Sequence, residues 1–249
     1  MKLGLRNYGL ACLIGLVGIG ACNADGNTAS ARNSRETKNN MSITRSAESS
    51  TSAGASTKTI RTPVVLFFGT SLTAGLGLEP EQAYPALIEK KAKDEGVPIT
   101  VINAGLSGET SAGAVRRIDW VLRSPADLVV IEAGANDALR GLSPDAARAN
   151  LEEVIAAVKA KQPRAKIALI QMEAPPNYGV DYTRSFHSVY GEVAKKEGIP
   201  LLPFLLDGVA GISRLNQPDG LHPNLAGERI VADNVWKALK PIVVKLDRG

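Results

Sequence analysis

From residue 61 onward, short and continuously apolar runs alternate with longer stretches in which apolar positions recur every three or four residues. The short runs, rich in Val, Ile, Leu and Phe, predict strands buried on both faces, and the longer stretches predict amphipathic helices. On this reading residues 64–68 (VVLFF) form a strand closed by Gly69, 84–95 a helix stopped by Gly96, 99–103 a strand and 109–123 a helix. A third strand covers 128–132. Ser143 then reads as an N-cap with Pro144 at the first helical position, opening a helix to about Lys161. Residues 167–172 predict a fourth strand, 182–197 a helix ended by Gly198, and 200–204 a short fifth strand. A loop carrying Gly208, Gly211, Pro218 and Gly220 leads into a last helix from about Asn224 toward Leu246.

Five strands alternating with helices predict right-handed crossovers and a mostly parallel, five-stranded sheet. The fold class is therefore α/β, a three-layer α/β/α sandwich. Ligands of such sheets bind at the carboxyl ends of the strands, so the residues after each strand carry the functional question. Gly69-Thr70-Ser71-Leu72 follow the first strand and Asn103-Ala104-Gly105 the second. Gly134-Ala135-Asn136-Asp137 follow the third, and the loop after the fifth delivers Asp219-Gly220-Leu221-His222-Pro223-Asn224. The topology brings these distant segments to one rim.

Composition changes the picture at the amino end. Lys2 and Arg6 precede a dozen apolar residues (10–21, LACLIGLVGIGA), which is the order of a secretory signal. That run is too short for a permanent membrane span, and its glycines weaken a core helix. It ends Ile19-Gly20-Ala21-Cys22, which resembles the bacterial lipobox, so Cys22 is the expected lipid-attachment site. Acylation there gives a stable anchor in the cell envelope, facing the periplasm; a soluble periplasmic or secreted protein is the alternative. Residues 22–60, dominated by Ser, Thr, Asn and Ala, predict a disordered tether, and the folded domain is expected over 61–249.

The formal charge of +4 belongs to the leader and tether. Once Lys2, Arg6 and the five basic and three acidic residues of 23–60 are set aside, 22 basic and 22 acidic side chains remain. A neutral domain of this kind lacks the basic face that nucleic-acid binding requires. With two cysteines in all, one of them inside the signal, no intrachain disulfide is available to the mature chain.

The rim holds the parts of a nucleophilic site. A serine attacks a carbonyl only when a base takes its proton and donors receive the oxyanion. Ser71 follows a strand, His222 is one of two histidines, and Asp219 lies three residues before it, within reach of one ring nitrogen. The backbone N–H groups of Ser71 and Gly105 and the amide of Asn136 complete a candidate oxyanion hole. The other histidine, His187, lies in a helical stretch beside Phe186, Val189 and Tyr190 without a suitable carboxylate next to it, and reads as structural.

The blocks FFGTSLTAGLG, INAGLSGETSAG, GANDALRG and DGLHPN resemble the four signature blocks of the SGNH, or GDSL, hydrolases. The likeness is to their bacterial arylesterase, thioesterase and lysophospholipase branch. It extends over nearly all of 63–245, including PPNYG at 175–179 and IPLLPF at 199–204. The resemblance implies Ser71 as nucleophile and oxyanion donor, Gly105 and Asn136 as further donors, His222 as base and Asp219 as its orienting carboxylate. One position departs from the pattern: the usual aspartate before the nucleophile is Thr70 here, which leaves the hydrogen bonding beneath the turn open.

Rival chemistries lack their motifs. There is no G-x-S-x-G elbow, no G-x-x-x-x-G-K-[ST] loop and no C-x-x-C or H-E-x-x-H. The expectation is a cofactor-free, metal-free monomeric serine esterase acting on aryl or short-to-medium acyl esters, thioesters or lysophospholipids. Its partners are a small-molecule ester or lipid substrate and the membrane through Cys22, with no nucleic acid. A carbohydrate acetylesterase of the same fold and a non-catalytic, ligand-binding surface lipoprotein stand as alternatives. The segment 173–182, with Pro175, Pro176, Tyr178 and Val180, is expected to edge the site and shape an acyl groove.

Overall fold

The computed structural model describes residues 61–246. The expected signal, Cys22 and the tether of residues 22–60 lie outside the described residues. Among those described, five strands pair in parallel throughout, in the order β2-β1-β3-β4-β5. They are β1 (Val64–Gly69), β2 (Thr100–Gly105), β3 (Leu128–Ile131), β4 (Lys166–Ile170) and β5 (Leu201–Leu202). The three central strands are almost wholly buried, which is why their sequences are apolar without alternation. β2 lies at the edge and is half exposed, in keeping with its polar Thr100 and Asn103.

The helices are α1 (Ser71–Ala74), α2 (Tyr84–Asp94), α3 (Ser111–Val121), α4 (Ala135–Leu139), α5 (Pro144–Lys161), α6 (Val180–Glu197) and α7 (Leu225–Leu246). α5 packs between α3 and α6, and α2 packs on α7. With right-handed crossovers, the first group covers one face and the second pair the other. Ser143 caps α5, accepting the Ala146 N–H at 3.4 Å, and Pro144 stands at its first turn. Gly198 ends α6 at a φ of 66°. None of the described helices is long and apolar enough to cross a membrane.

The path from β1 leads outward to β2 and then back across to β3. The carboxyl ends of β1 and β3 therefore diverge at the point where the winding direction reverses, and a crevice opens there. Their register is Phe68 opposite Ile131, so the turns that follow, at 69–71 and 132–136, emerge side by side.

Candidate active site

Ser71 leaves the end of β1 at the first position of α1, where its N–H has no intrahelical acceptor. Its side chain is almost covered, with 8% of the residue exposed.

Across the crevice, residues 216–223 form a tight loop. An antiparallel bridge between Asn216 and Pro223 closes it, and the Gln217 N–H donates to the His222 carbonyl at 2.7 Å. Gly220 makes the reversal at a φ of 71°. Inside the loop, Asp219 Oδ1 accepts the N–H groups of Leu221 (2.9 Å) and His222 (3.0 Å). Asp219 Oδ2 lies 2.6 Å from His222 Nδ1. An ionised carboxylate only accepts, which sets the proton on Nδ1 and leaves Nε2 to accept. Ser71 Oγ stands 2.9 Å from that Nε2. The His222 N–H, the imidazole and the Leu221 N–H together draw the Asp219 carboxyl down to about 2, so it stays ionised throughout the neutral range.

Gln217 ties this loop to the serine side. Its amide donates to the carbonyls of Leu76 (2.7 Å) and Pro223 (3.0 Å), and the Leu76 N–H returns to the Ser71 carbonyl at 3.0 Å. Sequence reasoning missed this residue, because a loop glutamine carries no signal until its partner 141 positions away is known.

Asn136 stands in the first turn of α4. Gly134, which precedes that helix at a φ of 98°, has no room for a side chain: a Cβ would come 2.4 Å from the Tyr190 hydroxyl. That hydroxyl braces the turn by donating to the Ala133 carbonyl at 2.7 Å. Asn136 Nδ2 donates to the Glu109 carbonyl at 3.0 Å, which uses one of its two amide hydrogens.

Gly105 is a correction to the sequence reading. Its N–H donates to Asn103 Oδ1 at 2.9 Å, within the end of β2, and is not available to a substrate oxygen. The glycine serves packing instead, since a Cβ there would stand 2.2 Å from the Ala74 nitrogen of α1. Gly108, three residues on, has a φ of 77° and open space around it, and no acceptor among the described residues takes its N–H. Its carbonyl is held by Arg140 at 3.1 Å, and the next residue is the one that Asn136 binds.

His187 also departs from expectation. It lies on the surface of α6, but Glu173 Oε1 approaches its Nδ1 at 2.7 Å. The pair is 14 positions apart in sequence, which hid the carboxylate. Glu173 borders the crevice; Pro175, Pro176, Tyr178 and Val180 do not. Tyr178 instead donates to the Leu139 carbonyl at 2.8 Å, and Tyr182 to that of Leu142 at 2.8 Å, so this segment props α4 from behind.

The crevice beside Ser71 and His222 encloses about 90 Å³, and Leu139, Met172, Phe204, Leu206 and Leu221 give it apolar walls. A larger hollow of about 420 Å³ lies at the amino ends of β4 and β5, with Lys159, Lys166, Ile199 and Ile242 in its lining and neither Ser71 nor a histidine. Of these two hollows, the smaller is the one lined by Ser71 and His222.

A serine, an imidazole and a carboxylate in series at the switch point of an α/β/α sandwich are the arrangement of a serine hydrolase. Comparison with known proteins narrows this. The family model described as "GDSL-like Lipase/Acylhydrolase family" matches residues 67–230. Esterase TesA of Pseudomonas aeruginosa is 44% identical over 181 residues, covering 72% of this chain and 89% of that protein. Thioesterase 1/protease 1/lysophospholipase L1 of Escherichia coli K12 is 35% identical over 180 residues, with 72% and 84% covered. Among solved structures, the psychrotrophic esterase EstA from Pseudoalteromonas sp., inhibited by monoethylphosphonate, superposes with a TM-score of 0.69 at 34% identity, covering 73% of this chain and 99% of that one. The chain belongs to the GDSL-like lipase/acylhydrolase family and is a serine hydrolase of ester bonds.

Proposed function

We propose that the chain hydrolyses carboxylic esters of short to medium acyl chains through an acyl-enzyme on Ser71. The observation that carries this reading is the unbroken series from Ser71 Oγ to His222 Nε2 at 2.9 Å and from His222 Nδ1 to Asp219 at 2.6 Å. In the first half-reaction His222 Nε2 takes the Ser71 proton as Oγ bonds to the ester carbonyl carbon. Asp219 holds the ring and balances the imidazolium. The tetrahedral oxyanion receives the Ser71 N–H, the second amide hydrogen of Asn136 and the Gly108 N–H, which takes the place first given to Gly105. Collapse breaks the bond to the alcohol oxygen, to which His222 returns the proton. Water then repeats the cycle on the acyl-enzyme.

The size and lining of the crevice favour this substrate class. About 90 Å³ with apolar walls suits the first carbons of an acyl chain, with the remainder along the open surface. It is well below the roughly 300 Å³ at which pockets begin to enclose a drug-sized ligand. A sugar ester would want several hydrogen-bonding side chains in the lining; beyond Ser71, Asn136 and His222, Glu173 is the one that the described residues place there. At the cellular level the reading is an envelope lipoprotein anchored through Cys22, supported by the charged start, apolar run and Ile19-Gly20-Ala21-Cys22 ending. Radiolabelled palmitate on wild type and Cys22→Ala tests the anchor; unchanged labelling of the variant ends that part.

The catalytic assignment is tested with Ser71→Ala and p-nitrophenyl butyrate. A folded variant should lose several orders of magnitude, to about 10⁻⁴ of wild-type turnover or below. Hydrolysis at the wild-type rate would remove Ser71 from the mechanism.

A further inference from the structure

Glu132 is the first residue beyond β3, and its N–H bonds to the Phe68 carbonyl at 2.8 Å. The β1–β3 register therefore sets it directly beneath the turn that presents Ser71. It is 0% exposed. Its Oε2 accepts the Thr70 N–H at 2.7 Å, both its oxygens lie within 3.0 Å of Thr70 Oγ1, and Oε2 accepts the Thr73 hydroxyl at 2.9 Å. Thr73 Oγ1 in turn takes the Tyr84 hydroxyl proton at 2.9 Å, so the array runs in one direction from Tyr84 through Thr73 to Glu132.

The space for this carboxylate is built in. A Cβ at Gly69 would stand 2.6 Å from Glu132 Oε2 and 2.1 Å from Thr73 Oγ1. Each hydrogen bond to the Glu132 carboxylate comes from a donor on residue 70 or 73, the two positions that flank Ser71 and Leu72. Burial pushes its carboxyl up to about 7, against the hydrogen bonds from Thr70 and Thr73. An apolar residue would fill the same place without that penalty, so packing alone does not account for an acid here. Its hydrogen bonds reach neither Ser71 Oγ nor His222.

We propose that Glu132 is a positioning residue for the nucleophile: as a buried acceptor of three donors on Thr70 and Thr73, it holds the turn that aims Ser71 Oγ at His222 Nε2. With threonine at position 70, the hydroxyl there becomes one of the donors that the carboxylate gathers. The inference rests on the assignment of Ser71 as nucleophile. Misplacement of a reacting atom by about 1 Å lowers rates about a hundredfold, so a few tenths of an ångström in this turn is felt mainly in the chemical step.

Glu132→Gln keeps the shape but removes the charge: with its oxygen at the Oε2 position it sets an NH₂ where Oε1 now faces Thr70 Oγ1, and the donors on Thr70 and Thr73 are held by a neutral amide oxygen alone. The expected result is a fall in kcat of tenfold or more with KM within twofold and a melting temperature no lower than wild type. Thr70→Val keeps the N–H contact and removes one hydroxyl; it should show a smaller fall, threefold or more, again in kcat. It also serves if the glutamine variant does not fold. Labelling by a fluorophosphonate separates this inference from the one beneath it. If Ser71→Ala still reacts, the nucleophile assignment fails. If Ser71→Ala is inert while Glu132→Gln, or Thr70→Val where the glutamine variant does not fold, labels at the wild-type rate or loses activity through KM alone, the positioning role fails and the nucleophile stands.

Discussion

Glu228 offers a stability experiment whose sign and size follow from the structure. It lies in the first turn of α7, 2% exposed, and its Oε2 accepts the Tyr84 N–H at the start of α2 at 2.7 Å. Burial outweighs that hydrogen bond and lifts its carboxyl from 4.5 to about 8. A carboxyl raised in the folded state contributes stability that is fully present below its unfolded value and is lost as pH climbs through the folded one. At about 1.36 kcal/mol per pH unit, the Glu228 contribution should fall by about 4 kcal/mol between pH 5 and pH 9. That is a large part of the ~5–15 kcal/mol that holds a domain together. Glu228→Gln retains a carbonyl oxygen for Tyr84 and cannot ionise. Urea unfolding of both proteins at pH 5, 7 and 9 makes the comparison, and the difference between them cancels every other titration, that of Glu132 included. Near pH 5 the two should agree within about 1 kcal/mol. By pH 9 the variant should be the more stable by about 3 kcal/mol or more. A difference that stays constant with pH, or a variant less stable at pH 9, would refute the reasoning.

Other expectations concern the site itself. Asn136→Ala should lower kcat by about a hundredfold to a thousandfold on an activated ester, with the fold unchanged by circular dichroism. Gly105→Ala should destabilise the domain and lower activity with it, because its Cβ meets the Ala74 nitrogen at 2.2 Å, whereas Gly108→Ala meets open space and should show only the strain of its φ of 77°. Thermal melts of the two variants check the contrast. Leu206→Trp should narrow the crevice and shift the chain-length optimum of p-nitrophenyl esters toward acetate, read as kcat/KM across the series. Since Asp219 is held at about 2, the acid limb of the rate profile down to pH 4 should contain no step from that carboxylate.

Much of this fold is legible in the sequence because its strands are buried on both faces and its long helices carry full turns of periodic apolar positions. Short elements escape that signal. α1 and α4, of four and five residues, are too brief for a period of 3.6 to register, and both exist to turn a strand end into a site. α6 starts at Val180, two residues earlier than expected, because Gly179 at a φ of 85° ends the preceding loop there. The series Ser71, His222 and Asp219 is legible because the strand-end rule and a three-residue spacing place it. Gly105 was misread for a definite reason: which N–H remains free depends on the side chain of Asn103, two residues away in the same strand. Glu132 and Gln217 were not visible at all, since one owes its place to strand register and the other to the packing of two loops.

Hydrolysis by this route requires that Ser71 become acylated. The most direct measurement is intact-mass and peptide mass spectrometry of the protein after brief exposure to a p-nitrophenyl ester and acid quench, with Ser71→Ala alongside. One acyl group on the peptide containing Ser71, and none on the variant, is the expected result. An unmodified Ser71 peptide in protein that is turning over, or acyl transfer to another residue, would contradict it.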